Sequence, residues 1–123
     1  MLKNILLVGL GGGVGSILRY LASYFTVKSH SGLFPLSTFT VNIIGCFLIG
    51  ILMGFILKST ALQEELRLLL VVGFCGGFTT FSAFSYENLK LWQSGEYWIL
   101  ILYTLLSVLI GLLMVWLGNK VIR

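Results

Sequence analysis

The sequence predicts an all-α membrane protein of four transmembrane helices, and three observations predict it. Apolar residues make up 58% of the 123 positions and charged residues only 10%, against a usual charged share of about 25%. Four long apolar runs are separated by short polar connections. Two of those runs, residues 37–57 and 97–119, carry no charge at all. A chain this small has too much surface for its volume to hide so much apolar area from water. Lipid must therefore be the solvent for most of it.

The first run covers about residues 4–25, with Arg19 inside it. It lacks a small-residue cleavage site before Arg19, so it reads as part of the mature protein and not as a removed leader. Around residues 26–36 lies a connection with the only proline, Pro35. The second span covers about 37–57. A polar turn with Glu64 and Glu65 leads into the third, about 66–89, which has Glu87 near its end. A link with Gly95 precedes the fourth, about 97–119. A run of 23 residues rises about 34 Å at 1.5 Å per residue, enough for a hydrocarbon core of roughly 30 Å. Backbone groups in lipid must bond within their own segment, so each run is a helix. The chain forms one domain.

Charge placement excludes several classes. The eight Lys and Arg residues stand near span ends and in connections, not as one basic face, so nucleic acid is not a partner. Lys3, Lys58, Arg67, Lys120 and Arg123 fall on the side of the termini. Arg19, Lys28 and Lys90 fall on the other. That division is nearly even, so the positive-inside rule selects an orientation only weakly. Cys46 and Cys75 sit in apolar stretches and read as small hydrophobes. There is no Asp, and His30 is the only histidine, which leaves no acid–base or metal constellation for an enzyme.

Several stretches carry more than hydrophobicity. Gly11, Gly13 and Ser16 nearly match a dinucleotide-binding spacing. That motif needs a preceding strand and an acid about 20 residues on, and here the first acid is Glu64. The glycine pairs 9/13, 11/15 and 50/54 instead suit close packing of helices. Asn42 puts an amide in an uncharged span, where it must be satisfied or do work. The stretch GFCGGFTTFSAF at 73–84 is a poor helix interior. A break there frees backbone groups, which membrane proteins tolerate where they line a polar cavity. Phe81 and Phe84, three apart, share a helical face. Tyr103, Ser107 and Gly111 form one stripe of the fourth span. Arg19 and Glu87 are the ionisable groups within or close to spans, and such groups are functional candidates.

Taken together, GGGVGSILRY at 11–20, STFTVNIIGCFLIG at 37–50 and GFCGGFTTFSAF at 73–84 resemble the small fluoride channel family known as Fluc or CrcB, over essentially the whole chain. The resemblance implies an antiparallel homodimer of dual topology in the plasma membrane. It implies two fluoride pathways along the dimer interface and a third helix broken near its middle. Asn42 would donate its amide to fluoride, and Phe81 and Phe84 would offer ring edges. Ser82, Tyr103 and Ser107 would extend a polar track, with Thr38 near the vestibule, Arg19 near the entrance and Glu87 by the pore mouth. A break at residues 76–79 would turn the carbonyls of Gly76 and Thr79 toward a structural sodium ion shared by both subunits. Ala83 departs from the family, which often has Thr there. Two other classes fit a small four-helix membrane chain. One is a proton-coupled exporter of small organic cations, which needs a membrane carboxylate; Glu87 is the one to test. The other is a non-transporting assembly subunit, which explains the glycine faces but not the joint Asn, broken-helix and Phe pattern.

Overall fold

A computed structural model describes residues 1–29, 32–58 and 62–122. His30, the centre of the turn before the third span and Arg123 lie outside the described residues. Helix α1 is Leu2–Ser29 and α2 is Leu36–Ile56. The third span, Gln63–Gln93, has two halves. Its first half, α3 (residues 63–78), joins α-helical Gln63–Leu66, π-helical Arg67–Cys75 and one α-turn, Gly76–Phe78. Its second half, α4, is Phe81–Gln93, and α5 is Tyr97–Ile122. The described residues are helical, with no strand, and four helices are long and apolar enough to cross a membrane.

The helices run past the apolar stretches that mark them in the sequence. In α1, Thr26 Oγ1 bonds back to the Ala22 carbonyl at 2.6 Å and Ser29 Oγ to that of Phe25 at 3.1 Å. Polar side chains are thus satisfied by the preceding turn, and the helix continues through them. Pro35 sets the start of α2 because it cannot donate into a helix. Helix α4 ends where Gly95 takes φ +76°, with Gly95 N–H on the Trp92 carbonyl and Glu96 N–H on that of Leu91. That paired closure needs a left-handed residue, which glycine supplies without strain.

The helices pack in two close pairs, α1 with α3 and α2 with α5, while α4 lies more loosely against α5 and α2. Small residues set both pairs. A Cβ on Gly15 would overlap the Phe74 carbonyl, and one on Gly118 would overlap that of Phe47. Neither pair could close to this distance with larger residues. Within one chain the expected packing role does not extend to Gly9 and Gly13, where an added Cβ would meet nothing within 4 Å. The core is thin: Val41, Ile56, Cys75, Phe78, Leu91 and Tyr103 are buried. In the most apolar stretch of each span, only 11–22% of residues are buried. Trp98, Leu112 and Trp116 stand outward, as residues facing hydrocarbon do.

Candidate functional site: two cavities joined at Thr80

The site is organised by a two-residue interruption of the third span. Thr79 (φ −92°, ψ 162°) and Thr80 (φ −153°, ψ 122°) are extended between α3 and α4. The sequence reading put the break at residues 76–79; the structure keeps Gly76 and Gly77 helical. The reason lies in α1: a Cβ on Gly77 would overlap the Gly12 carbonyl, so Gly77 serves close packing and the threonines take the turn.

Several of the freed groups find partners. Thr79 N–H and Oγ1 both reach the Cys75 carbonyl, at 3.0 and 2.8 Å. Thr80 caps α4, its hydroxyl accepting from Ala83 N–H at 3.1 Å and lying 3.2 Å from Ser82 Oγ. Asn42 of α2 donates from Nδ2 to the Thr80 carbonyl at 3.1 Å and accepts from Thr80 N–H at Oδ1 at 2.8 Å. The carbonyls of Gly76 and Thr79 are among those that lose the donors a continuous helix would supply. The partner of Gly76 would be Thr80 N–H, which serves Asn42. The partner of Thr79 would be Ala83 N–H, which serves Thr80.

A groove of about 440 Å³ opens on one side of this interruption, lined by Asn42, Cys46, Thr79, Phe81, Phe84 and Ser107 among others, with Gly76 on its wall. Phe81 and Phe84 have ring centroids 5.8 Å apart, and Phe81 is 78% exposed. The Ser107 hydroxyl is buried with no hydrogen-bond partner. That is a costly state for a polar atom unless a ligand, water or partner chain reaches it.

A second cavity of about 410 Å³ lies on the other side, lined by Arg19, Ser23, Ser37, Thr38, Thr80 and Glu87 among others. Glu87 lies in the middle of α4 and not near its end, and its carboxylate turns inward. Oε2 accepts from Thr38 Oγ1 at 2.7 Å and Oε1 from Tyr103 OH at 2.8 Å. Three helices thus meet at one carboxylate. Tyr103 is fully buried and packs its ring on Phe84 at 4.9 Å. Its hydroxyl is therefore committed to Glu87 and does not continue a stripe with Ser107. Arg19 also turns inward, its Nε donating to the Gly77 carbonyl at 3.0 Å.

The structure thus brings Asn42, Phe81, Phe84 and Ser107 to one cavity and Arg19, Thr38 and Glu87 to the other, with Ser82 beside the Thr80 cap. Sequence reasoning missed Thr80, the one residue that lines both cavities. Its signal was present: a Thr before Phe-Ser-Ala is an N-cap pattern. Among the described residues, no cluster of three or more His, Cys, Asp or Glu side chains gathers for a metal.

Four helices long and apolar enough to cross a membrane, with two cavities beside the interrupted third, define a multi-pass membrane protein. Comparison with known proteins makes the class specific. Residues 6–119 match the family described as CrcB-like protein, Camphor Resistance (CrcB). A protein of Azobacteroides pseudotrichonymphae, named a fluoride-specific ion channel FluC, is 51% identical across 96% of this chain and 94% of its own length. Proteins of the same name from Flavobacterium psychrophilum and Geotalea daltonii are 47% and 44% identical. They cover 95% and 99% of this chain, and 94% and 98% of their own. The chain belongs to the CrcB family.

Proposed function

We propose that the chain is a fluoride channel that lets fluoride leave the cell passively, down its gradient, across the plasma membrane. It works as an antiparallel pair of identical chains with two pathways. The relatives are named for fluoride conduction. The observation that carries the reading is the groove at Asn42. One N–H of its amide is held by Thr80, and Asn42 lines the groove together with Phe81, Phe84 and Ser107, whose hydroxyl is unpartnered.

Fluoride is small and holds its water strongly, so a pathway must replace that water with donors yet let the ion go. Neutral donors suit that balance. The spare Asn42 N–H and the Ser107 hydroxyl donate to the ion. The rings of Phe81 and Phe84 turn their positive edges to it without a fixed charge. Arg19 lowers the cost of bringing an anion to membrane depth. Glu87, with both oxygens occupied by hydroxyls, keeps α4 in place beside the path.

A second copy completes the pathway. One chain leaves its groove open and Phe81 mostly exposed, and the near-even charge split permits insertion in both directions. The carbonyls of Gly76 and Thr79, whose helical donors are diverted, fit an oxygen-coordinated sodium ion, and four of them from two copies would hold it. Bound there, sodium would supply positive charge that offsets the anion.

The test is fluoride efflux from liposomes containing purified protein, with chloride as the control ion. Rapid fluoride release with little chloride release is expected. No release from dimeric protein with sodium present would refute the reading.

A further inference from the structure

Arg19 is placed to do more than carry charge. Gly12, Gly15 and Arg19 follow one face of α1, and that face lies on α3 so closely that backbones meet at Gly12–Gly77 and Gly15–Phe74. This contact sets the height of the guanidinium. At that height Nε, not the terminal amino groups, reaches the Gly77 carbonyl at 3.0 Å. In an unbroken helix that carbonyl would accept from Phe81 N–H, but the extended pair Thr79–Thr80 intervenes. Gly77 therefore presents one of the orphan carbonyls of a helix C-terminus, an end that also favours a cation. The neighbouring Cys75 carbonyl is served by Thr79, and no residue of the third span serves Gly77.

We propose that Arg19 is a positioning residue: its Nε caps α3 at Gly77 and so holds Thr79 and Thr80 extended, while its terminal amino groups remain in the second cavity. The proposal deepens the channel reading, on which only its consequences for flux rest. It assigns two parts of one side chain to two tasks, and side-chain geometry separates them. Gln carries an N–H donor at the same distance from Cα as Arg Nε, but no charge. Lys carries the charge, with its donor one atom further out. Met has neither.

Amide hydrogen exchange of residues 79–84 in the liposome-embedded full chain reads the first task without reference to transport. R19M should exchange at least about tenfold faster than the parent, the equivalent of a hydrogen bond from a charged donor. R19Q should exchange at the parent rate. An R19M rate equal to the parent, or an R19Q rate equal to that of R19M, overturns the capping role. Should R19M fail to assemble, R19Q and R19K decide: parent exchange in R19Q with faster exchange in R19K supports the role, and the reverse order overturns it. Fluoride efflux reads the second task. Changed flux in R19Q with parent exchange assigns the terminal amino groups to the ion. Absent flux in the parent, with exchange still raised in R19M, would defeat the channel reading and leave the cap standing.

Discussion

The side-chain amide of Asn42 pairs with both backbone groups of Thr80, donating to its carbonyl at 3.1 Å and accepting from its N–H at 2.8 Å. It acts as a short piece of second backbone laid against an extended residue. This explains how an interruption of a membrane span is tolerated at Thr80: both of its freed backbone groups are met by a neighbouring helix. It also ties the proposed ion donor to the stability of the break.

Replacing Asn42 should therefore cost transport and order together. Asn42→Ala loses both bonds and leaves the part-buried Thr80 N–H and carbonyl unpaired, where a fully buried group would cost about 1–3 kcal/mol and these cost less. Asn42→Asp keeps an acceptor for Thr80 N–H, but sets a carboxylate against the Thr80 carbonyl and in the path of an anion. Fluoride efflux should fall at least about tenfold in Asn42→Ala and further in Asn42→Asp, with the dimer still present on size exclusion. Full flux in either variant would remove Asn42 from the mechanism.

Glu87 joins three helices, so its partners should be coupled. Tyr103→Phe removes one hydroxyl from the carboxylate and should destabilise the protein by about 1.5–3 kcal/mol, the worth of a hydrogen bond to a charged group. Thr38→Val should act in the same direction. If both work through Glu87, their effects will not add when combined. Thermal unfolding of the two single variants and the double variant measures this. Strict additivity would mean that the two hydroxyls act independently.

The glycines supply a paired test of packing. Gly15→Ala places a methyl group on the Phe74 carbonyl and near Phe78 N–H, and overpacking of this kind costs about 1–3 kcal/mol. Gly13→Ala meets nothing within 4 Å in one chain and should be neutral or stabilising by up to about 1 kcal/mol through helix propensity. Unfolding of the detergent-solubilised protein compares them. Damage from Gly13→Ala equal to that from Gly15→Ala would show that another surface covers Gly13.

The spans were legible because composition and run length suffice to define helices in lipid. The position of the interruption was not. Gly76-Gly77 looks like the weak point by propensity, yet Thr79 and Thr80 are the extended residues, because Gly77 is held against Gly12 by a contact 65 positions away in sequence. Asn42, Phe81 and Ser107 could be named from their types and from the family's motifs. Their shared groove depends on how α2, α4 and α5 cross. Tyr103 and Ser107 share a stripe by spacing, yet a tyrosine hydroxyl extends far enough to leave that stripe for Glu87. Periodicity places a Cβ and says little about where a long side chain ends.

Ser107 separates a structural hydroxyl from a working one. Its Oγ is buried without a partner, so Ser107→Ala removes an atom that weakens the fold of the isolated chain. Stability should hold or rise, by up to about 1–3 kcal/mol if no water or second chain satisfies the hydroxyl. Fluoride flux should fall in the same variant, because a donor facing the ion is gone. Thermal unfolding and liposome efflux on one preparation give both readings. Flux that falls while stability holds assigns Ser107 to the pathway. Stability lost in step with flux would show that the hydroxyl has a packing partner, and that its place in the groove is structural.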